Sequence, residues 1–308
     1  MEEIKFKKNK WINIVNPSKE ELDFLAKKYR FHELDLEDCL QKTERPKIDE
    51  YDKYLFIILQ FPIYNKTHHR FDTEQLNIFI GQSYLITLHQ GKLKALNEIV
   101  EACQQSLKSR KIFFGDGQST GYLLYEIISV LFNAIFPVTD KIQLSIKKIE
   151  DEIFESKRAK DELFNIMILK KNVITLRKIL LPQRSVVAAL EHKQKRFLPE
   201  DMEIYFDDVV DQIESLWNIL GTQKEIVESL EQTNESLLSH NINLTMRTLT
   251  VFSAIMLPLT FLTGLFGMNV KLPFVAALEN IDNFWTILWL MIAVVAVMFG
   301  MFKWKKWL

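Results

Sequence analysis

Residues Asn243, Met246, Thr250, Ser253, Leu257, Thr260 and Gly264 recur every three or four positions. At that spacing they fall on one face of a helix. Small and polar side chains on one face of an otherwise apolar helix admit two readings. They let a neighbouring helix approach closely, or they line a water-filled path. Both stay open at this point. Just beyond the stripe stands Gly267-Met268-Asn269, which sets a neutral amide at the end of the helix. No other group of residues points to chemistry. His68-His69-Arg70 reads as a solvated turn between two strands, because no further ligand stands at a zinc-like spacing. Lys157-Arg158 and Lys193-Lys195-Arg196 read as solvated charge. There is no Ser-His-Asp or Cys-His arrangement with local support and no Walker-type phosphate loop, so neither an enzyme nor an organic cofactor is expected.

The stripe sits in the first of two apolar stretches. Thr248 to Val270 carries no charge and is bounded by Arg247 and Lys271, and Asn283 to Phe302 is likewise uncharged between Asp282 and Lys303. Both exceed the ~18 to 20 residues that a spanning helix needs. Nothing earlier in the chain reads as apolar for long enough. Trp285, Trp289, Trp304 and Trp307 fit interfacial belts. Arg247 before the first span and Lys303, Lys305 and Lys306 after the second put both ends in the cytoplasm and the Lys271–Asp282 loop outside. Pro258 is tolerable inside a span where neighbours satisfy the freed carbonyl.

Upstream, the 308 residues include 39 basic and 40 acidic side chains, a net charge of −1 that gives no reason to expect nucleic-acid binding. Cys39 and Cys103, far apart, suggest neither a disulfide framework nor a zinc site and fit a reducing compartment. The opening Met1-Glu2-Glu3-Ile4-Lys5 lacks a signal peptide's apolar run. The first 115 or so residues read as mixed α/β. Trp11 to Val15 is a strand, and Ser18 caps a helix over Glu20 to Tyr29 that spaces Leu22 and Leu25 on one side. A short helix follows over Glu33 to Leu40. Strands then run over Tyr54 to Gln60, Gln75 to Ile80 and Tyr84 to Leu88, with a hairpin at Gly81-Gln82-Ser83. Residues 92 to 106 return to helix.

From Tyr122 to Leu181 the pattern is helical. Pro137 begins or kinks one segment, and Ile142, Ile146, Ile149 and Ile153 form a packing seam. Pro182 is expected to stop the next helix, and Pro199-Glu200-Asp201 to start another. From about residue 203 to about 266 one helix of roughly 90 Å can run unbroken, and it needs partners along its length. The expected organisation is a cytoplasmic α/β domain (1–120), a helical stalk or funnel (121–247), a first span (248–270), an external loop (271–282), a second span (283–302) and a basic tail (303–308).

The segment Leu257-Pro258-Leu259-Thr260-Phe261-Leu262-Thr263-Gly264-Leu265-Phe266-Gly267-Met268-Asn269 closely resembles the signature of the CorA family of divalent-cation channels. The placement is specific: the Gly-Met-Asn closes the first of two C-terminal spans. Trp11 to Pro17, Leu34-Asp35-Leu36-Glu37-Asp38, Arg45-Pro46-Lys47, Tyr54 to Ile57, Tyr205-Phe206-Asp207-Asp208-Val209 and Lys305-Lys306-Trp307-Leu308 resemble family patterns too, so the likeness runs end to end.

The resemblance implies an α+β cytoplasmic domain, long helices and a two-helix membrane hairpin, assembled as a funnel-shaped homopentamer in a bacterial inner membrane. The substrate it implies is Mg2+, with Co2+ and Ni2+ as passengers. Gly267, Met268 and Asn269 would form the selectivity filter. A ring of Asn269 amides would hold the hydrated ion through its waters, which suits a cation that sheds water reluctantly. Met268 would pack, since a thioether is a poor Mg2+ ligand. Asn243, Met246, Leu249, Ser253, Leu257, Thr260 and Gly264 match pore-facing positions, with Met246 and Leu249 as an apolar constriction that gates by dewetting. Leu249 takes the place of Thr250 in this match, and the helix register allows either.

Asp38 and Asp208 match regulatory Mg2+ positions between subunits, with Glu37, Asp207 and Asp211 nearby. Unscreened carboxylates would repel when Mg2+ falls, and the pore would open. A double charge gains about 4.6 kcal/mol per 100 mV of membrane potential, so uptake would need no ATP. One departure stands out: Val270-Lys271 follows the Gly-Met-Asn where many relatives carry an acid, and the loop acids Glu279 and Asp282 come later. Lys271 repels cations, which keeps a Zn2+ transporter of the same fold open as an alternative. A non-conducting, membrane-anchored Mg2+-binding scaffold is another.

Overall fold

The computed structural model describes residues 1–41, 45–115, 119–154, 159–192, 202–268, 283–305 and 307. The expected helix start at Pro199-Glu200-Asp201, and Asn269, Lys271, Glu279 and Asp282, lie outside them. The chain divides into two compact units, Met1–Gln232 and Thr233–Leu308.

The first unit is built on a six-stranded sheet of β1 (Glu2–Phe6), β2 (Asn9–Val15), β3 (Lys47–Glu50), β4 (Leu55–Asn65), β5 (Arg70–Gly81) and β6 (Tyr84–His89), in the order β1-β2-β6-β5-β4-β3. Only β2 and β6 run parallel; every other neighbouring pair is antiparallel. β5 and β6 form the hairpin expected at Gly81-Gln82-Ser83. The strands at the sheet centre are apolar on both faces, as burial on two sides requires. One face, carrying Ile12, Ile14, Phe56, Ile58, Phe79, Ile86 and Leu88, packs with Leu22, Leu25 and Phe31. Leu22 and Leu25 belong to α1 (Lys19–Tyr29). A full capping box sets the start of α1: Ser18 Oγ accepts from Glu21 N, and Glu21 Oε2 accepts from Ser18 N. The following helix, α2, spans Glu33–Leu40.

Helices α3 (Lys94–Gln105), α4 (Leu107–Phe113), α5 (Thr120–Asn133), α6 (Phe136–Phe154) and α7 (Ala159–His192) follow. α5 packs on β5 and β6, and α7 on β3, β4 and β5. The Ile142, Ile146, Ile149 and Ile153 seam is buried throughout, and α6 packs on α7.

Two expectations are corrected here. Pro182 does not stop its helix: α7 continues through it to His192. Proline costs a helix the N–H of one bond and crowds the carbonyls before it. Next to it, the Gln183 side chain is fully buried; its Nε2 donates to the Ile179 carbonyl at 3.0 Å and its Oε1 accepts from Gln60 N at 3.0 Å. That side chain ties α7 to β4 beside the proline; the carbonyl that Pro182 itself leaves without a helical donor is Lys178's, four positions earlier. The second correction concerns apolar length. The stretch Thr120–Ile153 is also long and apolar enough to cross a membrane, but half of its apolar window is buried inside the protein. Leu123, Leu124, Ile127, Ile128, Leu131 and Phe132 fill the core.

The long helix α8 spans Glu203–Phe266, as its lack of proline before Pro258 predicts. Its first part buries Phe206, Val209, Ile213, Leu216, Leu220 and Val227 within the first unit. Cross-ties hold it there: Gln223 Nε2 donates to the Thr139 carbonyl at 2.9 Å, Lys170 pairs with Glu231 at 2.6 Å, and Arg184 pairs with Glu214. Arg177 lies over the Trp217 ring, 3.8 Å from its centroid, and donates to the Trp217 carbonyl. Gly221 makes room for that guanidinium, since a Cβ there would come within 2.8 Å of Nη1.

The second unit contains the rest of α8 and α9 (Asn283–Trp304). Both helices are apolar enough to span a bilayer and almost wholly exposed within this single chain. On α8, residues 247, 251, 254, 255, 258, 259, 262 and 265 are buried or half-buried; on α9, residues 287, 288, 291, 294, 295, 298 and 302 are. Each set recurs at helical spacing, as two complementary stripes of a hairpin do. Arg247 at the start of the span sits over the Trp307 ring at 5.9 Å, and Trp307 stacks on Phe302.

Candidate ion pathway and regulatory carboxylates

α8 turns by about 100° per residue, so its two stripes can be compared directly. Asn243, Met246, Leu249, Thr250, Ser253, Leu257, Thr260 and Gly264 are all exposed within the chain. The exposure is large for apolar side chains: Met246 56%, Leu249 57%, Leu257 73%. Met246, Leu249, Ser253, Leu257, Thr260 and Gly264 lie roughly opposite the buried and half-buried residues of the span, and Asn243 lies at the border of that face. Both Leu249 and Thr250 border it.

The polar members of that face are oriented by their own helix. Thr250 Oγ1 donates to the Met246 carbonyl at 2.7 Å and Thr260 Oγ1 to the Met256 carbonyl at 2.9 Å. With its proton spent on the backbone, each hydroxyl turns oxygen lone pairs outward. Pro258 removes the N–H that would bond the Ala254 carbonyl, yet the helix continues to Phe266. Gly267 N then donates to the Thr263 carbonyl at 2.9 Å and Met268 N to Leu265 at 3.4 Å, closing the helix. A Cβ on Gly267 would lie 2.8 Å from the Thr263 carbonyl oxygen, so glycine is a steric requirement of this turn. A Cβ on Gly264 would meet nothing within 4 Å. Asn269, the third residue of the motif, lies outside the described residues.

The carboxylates expected to regulate stand on the first unit. α2 is fixed by an acid whose role the sequence did not reveal. Asp35 is buried, accepting from Tyr51 Oη at 3.0 Å and Tyr54 Oη at 2.8 Å. Burial raises its carboxyl above the ordinary range, while the two tyrosine hydrogen bonds oppose that. Tyr54 Oη also accepts from His32 N at 2.8 Å, and Tyr51, Tyr54, Phe31 and Phe79 stack around the site. The signal available in the sequence was spacing: Phe31, Asp35 and Cys39 step by four and all turn inward.

With α2 fixed this way, Glu37 is exposed and Asp38 half-exposed. Asp38 Oδ2 pairs with Lys47 Nζ at 2.8 Å, and Lys47 also reaches Asp49 at 2.6 Å. Burial works against the Lys47 charge, but hydrogen bonds to Asp38 and Asp49 outweigh it and hold the ammonium charged. Asp207, Asp208 and Asp211 are exposed near the start of α8. Asp208 Oδ2 accepts from Gln212 Nε2 at 2.8 Å, and the same amide lies 3.4 Å from Ser129 Oγ. The structure does not bring Asp38 and Asp208 together within the chain: among the described residues no group of three acids, histidines or cysteines could hold a metal. Each keeps one carboxylate oxygen without a partner among the described residues, and hard oxygen donors of this kind suit Mg2+. His68 and His69 lie in an exposed turn, as read from the sequence, with His69 Nδ1 3.1 Å from Tyr64 Oη.

An α/β unit followed by two helices apolar enough to cross a membrane, one of them carrying a polar stripe, is the layout of a membrane transport protein. The particular family is shown by comparison: residues 6–305 match the family of CorA-like Mg2+ transporter proteins, and the chain belongs to it. It is 27% identical to the cobalt/magnesium transport protein CorA of Thermotoga maritima, over 97% of this chain and 83% of that one. The solved structure of the CorA magnesium transporter from Methanocaldococcus jannaschii superposes with a TM-score of 0.85 at 25% identity, covering 100% of this chain and 95% of that one. A zinc transport protein, ZntB of Pectobacterium atrosepticum, is 23% identical over 74% of this chain and 67% of its own length. The protein is a divalent-cation transporter of the CorA family, and not an enzyme.

Proposed function

We propose that the protein takes up Mg2+ passively, driven by an inside-negative membrane potential, as a homopentamer whose α8 helices surround the pore. The observation that carries this reading is the unpartnered face of α8. It collects Ser253, Thr260 and Gly264 on the side opposite the buried and half-buried residues of α8, with Asn243 at its border, where only other copies or water can satisfy it. Met246 and Leu249 form the apolar constriction. Gly267, Met268 and Asn269 form the filter at the outer end, holding the hydrated ion through its waters. Co2+ and Ni2+ pass by the same route. Both termini face the cytoplasm of a bacterial cell, and Glu279 and Asp282 face outward in the loop.

Regulation rests on the surface carboxylates. Asp38, with Glu37 beside it, and Asp208, with Asp207 and Asp211, would hold intracellular Mg2+ between neighbouring subunits and keep the pore closed. Both sites retain an uncommitted oxygen, and Lys47 and Gln212 hold the other one in place. Without the cation, like charges at the interface repel and the symmetric closed state weakens.

Zn2+ is the second reading. The likeness to a zinc transport protein and Lys271 next to the motif favour it. Uptake into liposomes decides, with Mg2+ and Zn2+ offered separately under an inside-negative potential and Asn269→Ala as control. Potential-driven Mg2+ entry that the variant loses is the expected result. Zn2+ entry without Mg2+ entry would move the protein to the zinc branch. No flux of either ion would leave only a membrane-anchored Mg2+-binding scaffold.

A further inference from the structure

One cavity that the transport reading leaves unused lies in the first unit, with a volume of about 530 Å³. Its position follows from the sheet. β2 and β6 are the one parallel pair, and both end here, at Val15 and His89. The loops that leave them, through Asn16-Pro17 and Gln90-Lys92, form one wall. In sheets with parallel strands, the crevice beyond their carboxyl ends is where ligands bind. The floor is the part of β5 that runs past the end of β6: β5 pairs with β6 only from Asn77 to Gly81, and Asp72 to Gln75 overhang. The end of α2, through Cys39 to Gln41, closes the third side.

The floor holds an acid with no cationic partner among the described residues. Glu74 lines the cavity and is only 2% exposed. Its Oε1 is committed, accepting from Gln90 N at 2.8 Å and Lys92 N at 3.5 Å. Its Oε2 has no protein partner, and no cationic side chain pairs with the carboxylate among the described residues. A buried carboxylate left without a cation is costly unless something supplies the missing donor.

The other groups narrow what that donor is. His89 cannot serve as a metal ligand, because both ring nitrogens are engaged, by Asn13 Oδ1 and Gly91 N. The Cys39 thiol donates to the Asp35 carbonyl, and burial first, then Asp35 and Asp38, keep it protonated. The exposed Lys92 also lines the cavity, with no carboxylate paired to it among the described residues. A bare divalent cation would meet that ammonium as a like charge. A molecule with a cationic end and an anionic end satisfies both groups.

We infer that this cavity binds a small zwitterion of the amino-acid class, its ammonium on Glu74 and its carboxylate toward Lys92. The Gln90 side chain also lines the cavity, while the Gln75 amide is tied to the Asp38 carbonyl and to Asn77 Oδ1. Its lining includes no residue of the α8 face and neither Asp38 nor Asp208, so it does not depend on which ion is carried.

Isothermal titration of the purified full-length protein in detergent tests this, with four probes: 4-aminobutyrate, ethanolamine, acetate and Mg2+. The expected result is saturable 4-aminobutyrate binding, with ethanolamine weaker and acetate undetectable. Glu74→Gln keeps an acceptor for Gln90 N and removes only the charge. It should weaken 4-aminobutyrate at least about tenfold, as losing a charge-assisted hydrogen bond does. Lys92→Met should weaken 4-aminobutyrate but leave ethanolamine unchanged. Absence of 4-aminobutyrate binding to the wild type, binding that survives Glu74→Gln, or Mg2+ binding that Glu74→Gln alone abolishes would each overturn the proposal. Unchanged melting of both variants without ligand confirms that folding is not the cause.

Discussion

Mild acid should destabilise the first unit through one histidine. His89 closes β6 with its ring buried, and its Nδ1 accepts from Gly91 N at 3.0 Å, so Nε2 carries the proton and donates to Asn13 Oδ1 at 3.1 Å. Asn13 Oδ1 also accepts from Thr87 Oγ1, which accepts in turn from Trp11 Nε1. A second proton on the ring would set Nδ1–H against the Gly91 N–H, donor facing donor. Burial pushes the imidazole down from 6.5 to about 4, and the Glu2 carboxylate opposes this only partly. The sign follows: between pH 6.5 and 4 the unfolded chain binds this proton and the folded chain does not. The stabilisation is therefore complete above 6.5 and is lost as pH falls toward 4. The gap converts, at about 1.4 kcal/mol per pH unit, to about 3 kcal/mol. For a unit of this size that corresponds to a melting shift of about 6–12 °C. Carboxylates titrate in the same range, so the measurement is a difference. Wild type and His89→Gln are melted at pH 7 and pH 4.5, and the wild type should lose several degrees more. Parallel losses in the two proteins would refute the reasoning.

Four further outcomes follow from the geometry. Asp35→Ala strips the acceptor from Tyr51 and the buried Tyr54, at a cost of about 2 kcal/mol; denaturation of the full chain should show it, and Mg2+ dependence of flux should weaken as α2 loosens. Ile146→Ala opens the α6–α7 seam at a fully buried position and should cost about 2–5 kcal/mol by the same assay. Gly267→Ala forces a Cβ against the Thr263 carbonyl, a clash of about 1–3 kcal/mol in the last turn before the filter. Liposome uptake should fall while oligomer size on a sizing column stays unchanged. Gly264→Ala has open space within its own chain, so any loss of uptake there reports a neighbouring copy.

The elements that the sequence revealed were those whose local signals agreed. The α1 start combined Ser18, Glu21 and the Leu22–Leu25 spacing, and the structure has a capping box there. α2 came out at Glu33–Leu40, and α8 at Glu203–Phe266 because it holds a single glycine and no proline before Pro258. β1 and β3 were missed: they are edge strands whose side chains are partly exposed, so neither alternation nor an apolar run marks them. Pro182 misled because a propensity rule cannot see Gln183 reaching Gln60, over 100 positions away. Asp35 hid for the same reason. An acid in an acidic helix reads as surface, and only the fold brings Tyr51 and Tyr54 onto it.

The α8 stripe shows most clearly where sequence stops and structure begins. Close helix packing and a watered path produce the same three-to-four spacing, so periodicity alone could not choose between them. The buried and half-buried residues in the apolar part of α8 are 251, 254, 255, 258, 259, 262, 265 and 266, and Ser253 and Thr260 lie about 100° or more around the helix from all of them. Lipid is no substitute cover, since an amide at Asn243 and hydroxyls at Ser253 and Thr260 cost free energy in hydrocarbon. Thr260 has already given its proton to the Met256 carbonyl, so what it presents outward is an acceptor. An acceptor row along a spanning helix, broken by the apolar Met246, Leu249 and Leu257, is better matched to the hydrogens of a cation's water shell than to a helix that offers no free donors. That asymmetry between donors and acceptors, rather than the spacing, is what supports the proposal that the face lines a path for hydrated cations.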